Sequence, residues 1–292
     1  MPLEIEDLTP TIGSVIGDID LADGDALEQH RAALRQALLD RQVIFFRDQN
    51  LSPAAQVRLA AIFGDVQPLS STFPSHPDNP CLEVLESKGR RTGTDVWHAD
   101  LTWQSSPPIA ACLFAVEVPR TGGDTLWASM TAAHDAIDPQ LRAYLAGLRA
   151  VHNWETPEIL DSLRSKPDAA GQYARMRDAY PPLAHPVIVA HPETGRQILY
   201  VNEFYTTELV GLTRSESDAL LRYLTSLARV PEWQVRFRWE PGSVAIWDNR
   251  STQHYAVNDY HPTRRLMHRV GIQTPAALDR EAGDGRRFGL GV

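Results

Sequence analysis

The chain predicts a mainly β fold with inserted helices, and three observations carry that expectation. Apolar runs of strand length crowd the second half. Helical periodicity is confined to early segments and insertions. No internal repeat, low-complexity block or evident linker divides the 292 residues. A single domain spanning 1–292, a β core with helical decoration, is expected.

Thr11 to Leu21 reads as a strand pair broken at Gly13 and Gly17. Asp25 to Arg41 is an amphipathic helix with Leu27, Ala33, Leu34, Ala37 and Leu38 as its apolar stripe. Val43-Ile-Phe-Phe46 is a short apolar strand. Ser52-Pro53 opens a second helix, because a serine N-cap followed by proline at the first helical position suits both residues. It runs to about Phe63 and stops at Gly64. Cys81 to Glu86 and Ile109 to Val118 are strands, as is Asp124 to Ser129, and helices follow from Thr131 to about Leu148. Trp154 to Pro182 shows no strong period; with Pro157, Pro167, Gly171, Pro181 and Pro182 it reads as a long loop, and so as a lid over a site. Pro186 to Ala190 and Gln197 to Val201 flank a turn at His191-Pro-Glu-Thr-Gly195. Ser215 and Asp218 cap a helix reaching Ala228. Gln234 to Trp239 and Ser243 to Trp247 form a hairpin around Glu240-Pro-Gly242, and Arg265 to Thr274 is the last strand.

Bulk composition narrows the function classes. A hydrophobic content of 43% and a charged content of 22% are ordinary for a globular protein. The net charge of −9 argues against nucleic acid or an anionic membrane as the main partner. Two cysteines, Cys81 and Cys112, cannot build a disulfide framework and read as free thiols. No signal peptide is visible at Met1-Pro-Leu-Glu-Ile-Glu-Asp7, and no apolar run approaches the roughly 20 residues that span a bilayer. A cytoplasmic protein is expected.

The chemistry concentrates at Val96-Trp97-His98-Ala99-Asp100-Leu101-Thr102-Trp103. On a strand, residues two apart share a face, so His98 and Asp100 can reach one metal ion. Trp97 and Trp103 make the surroundings apolar, and buried polar side chains there need a partner. His254, just past the strand ending at Trp247, completes two histidines and a carboxylate from the opposite wall. Other histidines have plainer readings. His191 lies in a turn, His185 and His261 precede prolines, and His30, His76, His134 and His152 fall in polar, loop-like or helical surface contexts. Trp239 and Trp247 read as core and pocket wall. The same three ligands also describe hydrolytic zinc sites, and the arginines separate the two. In Arg265-Leu266-Met267-His268-Arg269, extended geometry puts both arginines on one face, about 13 Å apart. Inward guanidinium groups in an acidic protein call for anions such as carboxylates or sulfonates. The Thr125 hydroxyl would be a second donor to such a carboxylate.

These motifs together resemble the taurine dioxygenase family of Fe(II)/2-oxoglutarate-dependent oxygenases. The matching segments are Trp97-His98-x-Asp100, Thr121-Gly-Gly-Asp-Thr-Leu-Trp127, His191-Pro-x-x-Gly195, Trp247-Asp-Asn-Arg250 with Thr252-Gln-His254, and Arg264-Arg-x-Met-His-Arg269. The resemblance covers nearly the whole chain. It implies a double-stranded β-helix (jelly-roll) core, with Fe(II), 2-oxoglutarate and O2 as cofactor and cosubstrates. His98, Asp100 and His254 are then the ligands and catalytic centre, Thr125 and Arg265 hold the distal carboxylate of 2-oxoglutarate, and Arg269 grips the acidic group of the substrate.

The substrate end departs from taurine-specific members. Leu69 and Thr72 stand where a histidine and a tyrosine are found, Thr94 replaces an asparagine, and Tyr205 is the aromatic after Asn202-Glu203. With Phe73 and Trp103 these make an apolar pocket. The expected substrate is a small, mainly apolar organic acid, undergoing hydroxylation, desaturation or epoxidation with release of succinate and CO2. A secondary-metabolite acid, such as a terpenoid carboxylate in antibiotic biosynthesis, fits as well as an alkyl sulfate or sulfonate used for sulfur acquisition. The rival readings are a zinc hydrolase on the same triad and a silent jelly-roll binder. A dimer or tetramer is expected by resemblance.

Overall fold

The computed structural model describes residues 3–68, 73–87 and 95–274. From the N-terminus run β1 (Glu4–Asp7), β2 (Ser14–Gly17), α1 (Gly24–Arg41), β3 (Val43–Phe46), α2 (Pro53–Ala60), β4 (Asp65–Val66), β5 (Ser75–His76), β6 (Asn79–Glu86) and β7 (Ala110–Glu117). Next come β8 (Thr125–Ser129), α3 (Met130–Asp135), α4 (Pro139–Leu145), β9 (Arg149–His152), α5 (Pro157–Arg164) and α6 (Ala169–Ala179). They are followed by β10 (Leu183–Pro186), β11 (Ile188–Ala190), β12 (Gln197–Leu199), β13 (Thr206–Leu209) and α7 (Arg214–Ser226). The last strands are β14 (Gln234–Phe237), β15 (Val244–Asp248), β16 (Thr252–Ala256) and β17 (Leu266–Gln273). The fold is mainly β with helices, as expected. None of the described helices is long and apolar enough to cross a membrane.

The larger sheet has the order β1-β2-β3-β15-β7-β17-β6-β5, with β4 added on β17. A second sheet, β14-β8-β16, faces it. Period-two alternation sends Phe45, Leu113, Ala245, Trp247 and Met267 of the larger sheet inward, where they meet Trp127, Val235 and Phe237 of the smaller. The Phe45 ring stacks on Phe237 at 4.1 Å and meets Trp127 edge-on at 5.3 Å. The opposite face, through Ile44, Phe46, Ile246, Val270 and Ile272, packs under α1 and α2 at Leu34, Leu38 and Leu59. Each such side chain contributes about 1.5–3 kcal/mol by leaving water.

Several elements differ from the sequence reading. Only Ser14–Gly17 of the Thr11–Leu21 segment is a strand; it pairs antiparallel with β1 and parallel with β3. Ala33 is exposed on α1. The helix after Arg214 is capped by a Thr213–Glu216 box rather than by Ser215. Gln234–Trp239 and Ser243–Trp247 do not form a hairpin: β14 pairs with β8 and β15 with β3 and β7, so the Glu240-Pro-Gly242 turn crosses between sheets. A Cβ on Gly242 would lie 2.7 Å from the Gln49 carbonyl oxygen, so the crossing needs glycine there. Trp154 to Pro182 is largely helical. Thr156 caps α5 with Pro157 in its first turn, α6 follows, and Trp154 Nε1 donates to the Tyr180 carbonyl, tying the ends of the segment together.

Candidate active site

The His98–His254 pair is built by backbone. His98 N–H donates to the His254 carbonyl (3.1 Å) and His254 N–H to the His98 carbonyl (2.7 Å), an antiparallel bridge beside β16. The imidazoles therefore stand side by side, with ring centroids 4.2 Å apart, and not on opposite walls as expected. His98 Nδ1 lies 2.7 Å from the Val96 carbonyl oxygen. Donation to that carbonyl places the proton on Nδ1 and leaves Nε2 free as a ligand.

Asp100 arrives by a different route from the expected strand parity. It lies in a turn, and Leu101 beyond it has φ of 54°. Asn249, at the end of β15, clamps the turn: its Oδ1 accepts from Asp100 N–H (2.7 Å), and its Nδ2 donates to the carbonyls of Asp100 (3.0 Å) and Pro108 (2.9 Å). Asp100 Oδ1 thereby reaches 3.9 Å from His98 Nε2 and 4.0 Å from His254 Nε2. The donor atoms of these three buried residues lie within 4.8 Å of one another, close enough to hold one metal ion.

Electrostatics suit that use. Burial lowers the pKa of His98, and it lowers His254 to about 3, with the neighbouring His98 acting in the same direction. Both rings are therefore neutral ligands at ordinary pH. Burial acts to raise Asp100, but Arg269, His254 and His98 outweigh it and hold the carboxyl below its ordinary range.

Arg265, just before β17, and Arg269 on it share the inward face with Met267, yet their surroundings differ. Burial lowers the pKa of Arg265, and its Nε is buried without a hydrogen-bond partner among the described residues. Its guanidinium lies 5.9 Å from the ring of Trp239 and 6.0 Å from that of Tyr260. Thr125, buried on β8, accepts at Oγ1 from Trp239 Nε1 (2.9 Å), which leaves the hydroxyl proton to donate elsewhere. Gly123, at φ +71°, makes room: a Cβ there would sit 3.1 Å from the Tyr260 ring. A guanidinium with an unsatisfied donor and an oriented hydroxyl fit a carboxylate.

Arg269 has its anions already. Its Nε donates to Glu83 (2.8 Å), its cross-strand partner on β6, and its Nη1 to Asp100 Oδ1 (3.1 Å). Burial acts against its charge, but Glu83 and Asp100 raise its pKa above the ordinary value. Arg269 is thus paired within the chain, while Arg265 keeps a donor without a partner among the described residues.

His98, Asp100, His254, Thr125, Arg265 and Arg269 all line one cavity of about 600 Å³. Its apolar wall includes Phe73, Leu85, Leu101, Trp103, Leu113, Phe204, Tyr205 and Trp247. The roof is Glu158, Ile159 and Ser162 of α5 with Arg175, Met176 and Ala179 of α6. Of the expected substrate-end residues, Phe73 and Tyr205 line the cavity, while Leu69, Thr72 and Thr94 lie outside the described residues. Trp247 is wall and Trp239 is core, as expected.

Supporting residues were missed by sequence. His152, assigned to the surface, is fully buried with Nδ1 2.8 Å from Thr102 Oγ1; Asn202 Nδ2 donates to the same oxygen, and its Oδ1 accepts from Tyr205 N–H. These contacts brace the loop after Asp100. His191 is also buried, its Nε2 2.9 Å from Asp248 Oδ2, and Arg250 joins Asp248 to Glu193. That network fixes the strand end that carries Asn249.

Residues 4–270 match the family model described as Taurine catabolism dioxygenase TauD, TfdA family. An "Alkylsulfatase" of Acinetobacter baylyi is 34% identical over 92% of this chain and 84% of its own length. An "Alpha-ketoglutarate-dependent sulfate ester dioxygenase" of Pseudomonas putida is 33% identical over 96% and 93%. A taurine dioxygenase structure from Burkholderia xenovorans superposes with a TM-score of 0.77 at 32% identity, covering 93% of this chain and 89% of that one. The match takes in the triad, Thr125, Arg265 and Arg269, and it separates the oxygenase from the zinc-hydrolase reading. The chain belongs to the TauD/TfdA family and is a 2-oxoglutarate-dependent non-heme iron dioxygenase, requiring Fe(II), 2-oxoglutarate and O2.

Proposed function

We propose that this dioxygenase oxidises a carbon of a small, mainly apolar organic acid, by hydroxylation, desaturation or epoxidation, with release of succinate and CO2. The carrying observation is the cavity itself. The triad, the Thr125–Arg265 pair and an aromatic wall open into the same space of about 600 Å³ under α5 and α6. His98, Asp100 and His254 would hold the iron, and Thr125 and Arg265 would receive the distal carboxylate of 2-oxoglutarate. Bound together, the metal and cosubstrate supply the activation of O2. This chain's residues do the rest. They orient the two ligands, exclude water through Trp103, Trp247 and Tyr205, and place the substrate carbon against the metal. We take the two facing sheets to be the double-stranded β-helix of the family, and α5 with α6 to be a lid.

Phe73 and Tyr205 would contact the substrate body, with Leu69, Thr72 and Thr94 completing that end. A secondary-metabolite acid such as a terpenoid carboxylate suits so apolar a wall. The second reading, an alkyl sulfate or sulfonate, is favoured on the sulfate side by the names of the two relatives. Succinate formation with Fe(II), O2 and 2-oxoglutarate, measured across alkyl sulfates, aryloxy acids and cyclic terpenoid carboxylates, tests both. Stimulation by one class identifies it. Succinate unchanged by every acid would refute the acid-substrate reading.

A further inference from the structure

Trp239 lies just beyond β14, where the chain leaves the smaller sheet for the Glu240-Pro-Gly242 turn. It is a core residue, 3% exposed, and meets the ring of Phe237 edge-on at 5.1 Å. Packing in this core is also supplied by phenylalanine and leucine, at Phe45, Phe237 and Leu113. What an indole adds is a single N–H donor. Burial does not by itself give that donor a partner here. In the same core the indoles of Trp127 and Trp247 have buried Nε1 atoms with no acceptor among the described residues. Trp239 Nε1 has one, and it is Thr125 Oγ1 at 2.9 Å.

That bond constrains a proton. A threonine hydroxyl has one proton and two lone pairs, and an indole can only donate. With a lone pair of Oγ1 turned to Trp239, the Thr125 proton is directed away from the indole. Thr125 lines the cavity, so the directions left open include the space assigned to the distal carboxylate of 2-oxoglutarate. The ring of the same indole lies 5.9 Å from the Arg265 guanidinium. Trp239 therefore stands beside both groups assigned to that carboxylate. A hydroxyl already turned to donate has less freedom to lose on binding, and such preorganisation raises affinity.

We propose that Trp239 is a positioning residue for the cosubstrate: its indole N–H holds the Thr125 hydroxyl as a donor to the distal carboxylate. This rests on the assignment of Thr125 and Arg265 to that carboxylate above.

The test is a double-mutant cycle on Trp239→Phe and Thr125→Val, read as the calorimetric affinity of the Mn(II)-loaded protein for 2-oxoglutarate. Trp239→Phe keeps an aromatic ring and removes the donor. It should weaken 2-oxoglutarate about three- to tenfold, the range of one neutral hydrogen bond. In the Thr125→Val background the same substitution should weaken it less than about twofold, because the hydroxyl it acts through is gone. 2-Oxopentanoate, which keeps the keto acid and lacks the distal carboxylate, should bind wild type and Trp239→Phe within about twofold. A residue serving packing alone would weaken both acids, and by the same factor in both backgrounds; either result overturns the proposal. So does an unchanged 2-oxoglutarate affinity in Trp239→Phe. If that variant does not fold, biosynthetic replacement of tryptophan by benzothienylalanine, which exchanges the indole N–H for sulfur at nearly the same shape, gives the same comparison with and without Thr125→Val. Failure of the underlying assignment looks different: an unchanged affinity in Thr125→Val alone takes Thr125 out of the cosubstrate site, and the role of Trp239 with it.

Discussion

Replacing Asn249 with alanine should separate the architecture of the metal site from its ligands. Asn249 touches no donor atom of the triad; it holds the backbone that carries one of them. The substitution orphans three buried groups, Asp100 N–H and the carbonyls of Asp100 and Pro108. At about 1 kcal/mol for each lost hydrogen bond, and more where a buried group stays unsatisfied, the cost is about 3 kcal/mol or somewhat above. For a chain of this size that corresponds to a fall in Tm of roughly 6–12 °C. The larger effect should be on the metal. Asp100 Oδ1 is aimed at the two Nε2 atoms by this clamp and by the Arg269 contact, and loss of such support typically weakens a metal about 10–100-fold. Anaerobic Fe(II) titration of the folded variant, alongside thermal unfolding with and without metal, reads both quantities. A variant with lowered Tm but metal affinity within about threefold of wild type would show that Asp100 needs no clamp, and the reasoning would be wrong.

Other expectations follow from single contacts. His98→Ala should remove iron binding and turnover together, because its Nε2 is one of only three converging donors among the described residues; retained iron in anaerobic titration would refute the ligand set. Arg265→Ala should raise the KM for 2-oxoglutarate roughly thirtyfold or more, the loss of about 2 kcal/mol or above for a desolvated charge pair, with metal affinity unchanged. An unchanged KM would remove Arg265 from that role. The metal-free protein should lose stability in mild acid. His254 is held at about 3, and His98 and His152 are lowered too, while unfolded imidazoles titrate near 6.5. Between those limits the unfolded chain binds protons that the folded chain refuses, so stability rises with pH and falls away below about 6.5, by up to about 1.4 kcal/mol per pH unit for each ring. A Tm that stays flat between about pH 7 and about pH 5 would contradict the burial of these rings in neutral form. Finally, amide exchange across α5 and α6 should slow when 2-oxoglutarate and a turnover-competent acid are added with an inert metal, and unchanged exchange would end the lid assignment.

What could be read in the sequence, and what could not, follows from how local each signal is. The three residues of the triad do converge, but not by the strand parity that the spacing suggests. His98 and Asp100 do not share a strand face; His98 bridges His254, and a turn brings Asp100 round to them. Both arrangements keep residues two apart within reach of one ion, which is why the spacing sufficed. Parity along Arg265–Arg269 was legible because Val270 and Ile272 mark the opposite, helix-covered face. The helices over the cavity were missed through an inconsistent use of one rule. Thr156-Pro157 is the same cap signal as Ser52-Pro53, and both open helices. The β14–β15 crossing was beyond local reading, since turn composition marks a reversal without saying which sheet receives the next strand.

Asn249, His191 and Glu83 were missed for a different reason. Their partners lie 149, 57 and 186 residues away, so only the assembled fold joins them. Glu83 did carry a signal: a charge at the same parity as Leu85, on a strand whose other face is apolar. A charged residue at inward parity needs a partner, and Arg269, directly across on β17, is one. That pairing changes what an arginine motif means. In an enzyme of this family the same guanidinium can recognise a substrate or stabilise a ligand carboxylate. Here Arg269 contacts two buried carboxylates, Glu83 and Asp100, so the motif alone does not name the guanidinium's partner.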